Sequence, residues 1–159
     1  FSSGRFRSRT VDLLHLIEDQ VDAQRLQWRA RELTVKVTGE PVRMEVDPEK
    51  IGTALANLLS NAIRYSPLKG TIELSLSQQP GVVQIDIQDQ GIGVAPVDRE
   101  RIFEPFYRGE RQPEGGVRGS GIGLSIVHEY IAAHGARIAL LPDATGTHFR
   151  IEFPHVFKS

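Results

Sequence analysis

The sequence of 159 residues contains no cysteine, so disulfide bonds and thiolate chemistry are excluded, and a reducing cytosol fits. It has no apolar run approaching a membrane span or a signal-peptide core; the longest are a few residues, such as IALL at 138–141. It also lacks a charge excess: 19 Lys and Arg stand against 20 Asp and Glu, leaving no global basic field for nucleic acid or membrane. The one local basic patch is GRFRSR, where Arg5, Arg7 and Arg9 alternate with small and aromatic residues. It is read as a solvated linker at the domain edge, and no nucleic-acid partner is expected. There is no internal repeat or low-complexity run. With 40% apolar and 25% charged residues, what remains is a soluble globule of about one domain. The first residue is Phe rather than Met, and the chain is expected to be a part of something longer.

From Asp12 to about Arg31, Leu13, Leu14, Ile17, Val21 and Trp28 recur at helical spacing, with Asp12 as cap. LTVKVT and VRMEV alternate around Gly39-Glu40-Pro41 and predict two short strands joined by a turn. Asp47 as cap, Pro48 at the first helical position and Glu49 in the first turn open a second helix running to about Tyr65, which Ser66-Pro67 stops. TIELSLS and VVQIDIQD predict a hairpin across QQPG. A short helix around Asp98 to Phe103, a long Gly-, Pro- and Arg-rich loop, and a third long helix ended by Gly135 follow. ARIALL and THFRIEF, separated by PDATG, read as the last two strands. This order predicts a mixed, largely antiparallel sheet with three amphipathic helices on one face.

Residues 115–124, GGVRGSGIGL, put five glycines directly before that third helix. Glycines cluster where a backbone turns sharply or approaches something closely, and a helix start offers unpaired N–H groups and a positive dipole end to an anion. A dinucleotide fingerprint fails here: a loop rather than a strand precedes the glycines, Leu124 stands where a glycine should complete the pattern, and Asp143 sits in a turn. A P-loop fails too, for want of Gly-Lys-Ser/Thr. Two further signals matter. DQGIG places Asp89, Gly91 and Gly93 at a strand end, and Asn57, Asn61 and Arg64 fall within about 60° of one another on the second helix. That ridge lies away from the apolar stripe of Ile51, Leu55, Leu58 and Ala62. Two mid-helix asparagines oppose helix propensity.

Taken in order, NLLSNAIRYSP, DQGIG, FEPF with YRG, and GSGIGL resemble the N box, first glycine box, F box and second glycine box of one family. That family is the ATP-binding catalytic domain of sensor histidine kinases, in the superfamily shared with gyrase, Hsp90 and MutL. The resemblance runs from about Thr10 to Phe153. It implies an α/β two-layer sandwich of the Bergerat type, with residues 1–9 as linker, 10–156 as catalytic domain and 157–159 as tail. It also implies ATP and Mg²⁺ as ligands. By this resemblance Asp89 accepts a hydrogen bond from the adenine amino group, Gly91 and Gly93 leave room for the base, and Tyr65 lines the pocket. Asn61 offers an amide oxygen to Mg²⁺, and Asn57 supports metal or phosphates. Arg64, where the family often has Lys, faces the phosphates. Gly119, Gly121, Gly123 and Leu124 bring helix N–H groups to the phosphate tail. Arg108, with Arg111 and Arg118 on the same lid, is the candidate for the γ-phosphate. Phe103 and Phe106 are expected to anchor that lid by packing.

The resemblance also marks departures. Gyrase-like members carry a glutamate one turn before the metal-binding asparagine as general base for water, whereas this sequence has Asn57, which favours transfer to another nucleophile over hydrolysis. The acceptor box, His-Glu before a basic residue and Pro, is missing; His15, His128 and His134 read as ordinary helix histidines. The expected partners are thus a dimerisation and phosphoacceptor domain of the same parent and a response regulator. The fragment is expected to be monomeric and cytoplasmic, its parent a homodimer and possibly an inner-membrane sensor. Two rival readings use the same pocket: a nucleotide-binding regulatory module without catalysis, and a protein-serine kinase of the anti-sigma type.

Overall fold

The computed structural model describes residues 5–99, 101–104, 123–142 and 146–154. Arg108, Arg111, Arg118, Gly119 and Gly121, together with Phe106 and Asp143, lie outside the described residues. In chain order the elements are β1 (Arg9–Asp12), α1 (Leu13–Ala23), α2 (Arg25–Ala30), β2 (Thr34–Gly39), β3 (Arg43–Val46) and α3 (Pro48–Tyr65). Then follow β4 (Thr71–Gln79), β5 (Val82–Asp89), a 3₁₀ turn (Pro96–Asp98), α4 (Gly123–Ala133), β6 (Arg137–Leu141) and β7 (Thr147–Pro154).

Five strands form one sheet in the order β2-β4-β5-β7-β6, parallel only between β2 and β4. Its register stacks one face with apolar residues: Leu74 faces Ile87, Ile85 faces Ile151, and Val83 faces Phe153. Leu13, Ile17, Ile51, Leu55, Leu58, Val127 and Ile131 cover that face from α1, α3 and α4, all essentially inaccessible to water. Each such side chain contributes about 1.5–3 kcal/mol on burial. The strict alternation along β4, β5 and β7 leaves the other face polar.

Three elements depart from expectation. The strands predicted as a hairpin part company: β2 lies beside β4 in the large sheet, and β3 pairs antiparallel with β1 in a separate two-stranded sheet. The turn between them leaves the sheet at Gly39, whose φ of +129° and close approach to the Leu76 carbonyl admit no side chain. The first helix is two, broken at Gln24, whose side chain donates to the Ala56 carbonyl of α3 at 2.9 Å. The Trp28 indole N–H caps the Val21 carbonyl that the break releases. The helix expected at 98–103 is a 3₁₀ turn followed by tight turns. GRFRSR, expected as linker, touches the domain through Phe6 and the Arg7 amide, and Arg9 begins β1.

Candidate functional site

The site is organised along α3. The Asp47 carboxylate accepts the N–H groups of Glu49 and Lys50 and fixes the first turn. Nine residues of the helix, Ile51, Leu55 and Leu58 among them, are buried, and this sets the rotation about its axis. That rotation presents Asn57, Asn61 and Arg64 on the partly exposed side. Arg64 Nη1 donates to Asn61 Oδ1 at 2.8 Å, and its guanidinium lies 5.7 Å from the centre of the Tyr65 ring. The Asn61 amide oxygen is therefore aimed at a cation.

The carboxyl end of α3 meets the end of β5. Asp89 is buried at the strand terminus, and its Oδ1 accepts the Gly91 N–H at 2.8 Å. A Cβ on Gly91 would stand 2.5 Å from the Tyr65 carbonyl oxygen and 2.9 Å from that same carboxylate, so only glycine passes. Gly93 has φ +71°. Gln90 Oε1 accepts the Thr71 N–H at 3.0 Å and closes the neighbouring strand start onto the turn.

Halfway along α3, Asn57 meets the start of α4. A Cβ built on Gly123 would stand in ordinary van der Waals contact with the Asn57 side chain, 3.8 Å away. Leu124 packs partly against the core. Asn57 and Tyr65 are separated by roughly 12 Å along the helix axis. One helix thus joins the carboxylate turn to the first residue of α4. Among the described predicted residues, Asn57, Asn61, Arg64, Tyr65, Asp89, Gly91 and Gly123 are linked by these contacts. Phe103 packs against the rings of His128 and Phe149, at 5.5 and 6.1 Å.

Sequence reasoning missed Gly146 and Thr147. Thr147 lies directly opposite Asp89 in the β5–β7 register, and a side chain on Gly146 would collide with the Asp89 carbonyl oxygen. The signal available in the sequence was a glycine immediately before an alternating strand.

Comparison with known proteins bears on this arrangement. Residues 46–156 match the family described as histidine kinase-, DNA gyrase B- and HSP90-like ATPase. The chain belongs to that family. The sensor-like histidine kinase SenX3 of Mycobacterium tuberculosis is 33% identical over 152 residues, covering 94% of this chain and 37% of SenX3. The mycobacterial sensor histidine kinase MprB superposes with a TM-score of 0.81 at 31% identity, covering 93% of this chain and 97% of that one. Full-length ShkA, solved in complex with AMPPNP, gives a TM-score of 0.80 at 25% identity, covering 96% of this chain and 32% of ShkA. The chain therefore spans little more than a third of the length of SenX3.

Within this ATPase family the residues present suit a nucleotide and a hard cation. The Gly91 cradle has no room for a side chain, Asp89 offers carboxylate oxygens at its edge, and the Asn61 oxygen already accepts from a guanidinium, a cationic stand-in. Among the described residues no cluster of three or more His, Cys, Asp or Glu could hold a metal on its own. A hard cation held at Asn61 would need phosphate and water to complete its coordination. No described helix is long and apolar enough to cross a membrane.

Proposed function

We propose that residues 10–156 are the catalytic domain of a sensor histidine kinase. The domain binds Mg·ATP and passes the γ-phosphoryl group to a histidine on a separate dimerisation domain, for onward transfer to an aspartate of a response regulator. The observation that carries this reading is the double contact of α3, with the Asp89–Gly91 turn at Tyr65 and with the start of α4 at Asn57.

In this reading Asp89 takes the hydrogen bond of the adenine amino group, and a guanine carbonyl there would face a carboxylate with no donor. Thr147, across the strand pair, borders the same base. Asn61 would hold Mg²⁺ through its amide oxygen, supported by Asn57. When bound, the ion supplies neutralisation of phosphate charge. Arg64 then gives up its hydrogen bond to Asn61 and turns its donors to the phosphates. The N–H groups at the start of α4, reached through Gly119, Gly121 and Gly123, receive the phosphate tail, and Arg108 reaches the γ-phosphate. The bond from the γ-phosphorus to the bridging oxygen breaks, a P–N bond to the acceptor imidazole forms, and ADP leaves. Asn57 supplies no base for water, so the phosphoryl group is kept for the imidazole. Use of ATP and the absence of cysteine both suit a cytoplasmic setting.

The test is titration with ATP, with and without Mg²⁺, followed by transfer to a phosphoacceptor domain supplied in trans. Asn61→Ala is expected to remain folded and lose at least about a hundredfold in transfer, and Asp89→Asn to weaken ATP binding about tenfold or more. Undiminished transfer by the Asn61 variant would overturn the proposal.

A further inference from the structure

α3 and α4 run antiparallel, and they touch at three levels. At one end Asn57 faces Gly123; between, the Lys50 ammonium lies 4.7 Å from the centre of the Tyr130 ring; at the other end the Asp47 N–H donates to His134 Nε2 at 2.9 Å. His134 Nδ1 lies 2.7 Å from the Tyr130 carbonyl, which can only accept. Nδ1 therefore carries the proton, and Nε2 is left as the acceptor that Asp47 uses.

The same junction holds the segment that enters the domain. The Arg7 N–H donates to Asp47 Oδ2 at 2.7 Å while Asp47 Oδ1 caps α3, and the Phe6 ring meets the His134 imidazole edge-on at 4.7 Å. The Phe153 ring also meets the imidazole edge-on, at 6.4 Å. Beside the junction an open groove, bordered by Arg5, Gln20, Lys50, Thr53 and Tyr130, runs along the surface, while Ile51, Val127 and Ile131 are buried in the core that α3 and α4 share. Apolar packing is non-directional, so the hydrogen bonds at the junction add the directional element that sets the register of the two helices. Asp47 to Asn57 and Gly123 to His134 are matching arms of roughly 15 Å. A shift at the junction is therefore delivered to the Asn57–Gly123 approach.

We propose that Asp47 and His134 form a positioning latch, closed by Phe6 and the Arg7 amide. Through it, the entering segment sets where α4 begins relative to Asn57 and so tunes the phosphate end of the nucleotide site. Asp47 and His134 touch no substrate; they act through the two helices. The link to nucleotide rests on the kinase reading, whereas the link between the helix ends does not.

The test uses the full chain. His134→Leu removes the acceptor, His134→Gln keeps one, and Arg7→Pro removes the incoming N–H donor while restricting the backbone of Phe6. Without nucleotide, amide hydrogen exchange at 127–130 is expected to be at least about fivefold faster in His134→Leu and near the parent rate in His134→Gln. In phosphotransfer, KM for ATP is expected to rise about five- to tenfold in His134→Leu with kcat within about twofold, and His134→Gln is expected to recover most of that loss. Arg7→Pro should move exchange and KM in the same direction by a smaller factor, and it decides the matter if His134→Leu fails to fold. Parental exchange and KM in a folded His134→Leu chain would overturn the latch, as would equal impairment in His134→Gln, or an Arg7→Pro chain identical to the parent. A parent chain that binds no ATP defeats the kinase reading alone, because the exchange measurements still judge the latch.

Discussion

Gly146 stands where β7 crosses the end of β5, and its missing side chain lets the two backbones close on Asp89. Replacing it with alanine forces a methyl group against a carbonyl oxygen that the sheet holds in place, so the backbone has to shift. Gly146→Ala is therefore expected to cost about 2–3 kcal/mol in urea unfolding and to weaken ATP binding in the protein that remains folded. Equal affinity and equal stability would separate Gly146 from the site. Asn57, Asn61, Asp89 and Gly91 were legible in the sequence because each breaks a local rule: amides in mid-helix, a carboxylate ending an apolar strand, glycines where a strand should continue. Gly146 breaks none, since a glycine between strands looks like ordinary turn chemistry. Its reason is a cross-strand approach that exists only once β5 and β7 are paired. The hold of Arg64 on Asn61 was also hidden, because helical spacing brings two residues together without saying which way a long side chain folds.

Among the elements, both ends of α3 were readable, because its cap, its first-turn proline and the Ser66-Pro67 stop all act locally. β2 and β3 were not, since alternation shows which face of a strand is buried and is silent about its neighbour. The same limit hid the break at Gln24, which is held by a hydrogen bond to α3 that no local pattern encodes. The cap of α3 gives a pH test. Burial pushes the Asp47 carboxyl up, but the N–H groups of Arg7, Lys50 and Glu49, with the nearby Lys50 charge, outweigh it, and the net shift is down from 3.8. A carboxyl lowered in the folded state adds stability above its unfolded value and loses it as the pH falls through the folded one. Asp47→Asn keeps a capping oxygen and lacks the charge, so it is expected to be less stable than the parent at pH 6. The difference should shrink as the pH falls below 3.8. Urea midpoints between pH 6 and pH 3 measure this, and a constant difference would contradict it.

Across the whole molecule, one sheet face is covered by helices and the other carries a polar network. Asp86 accepts from His148 and Arg150 at 2.7 and 2.8 Å, and Gln84 donates to Glu152 at 3.2 Å. This division was legible from strand alternation alone. These groups stand on the face away from α3 and α4, so Asp86→Ala is expected to cost about 1 kcal/mol of stability and to leave ATP affinity within twofold of the parent, as calorimetry can check. The small β1–β3 ladder has a different bearing on the whole. Its four facing pairs, Arg9 with Val46 through Asp12 with Arg43, join the entering chain to the strand that runs into α3. Tension directed along that ladder loads all its rungs together, whereas tension across it peels them one after another from Arg9. The domain can thus be mechanically stiff toward a pull from one direction and compliant toward a pull from another.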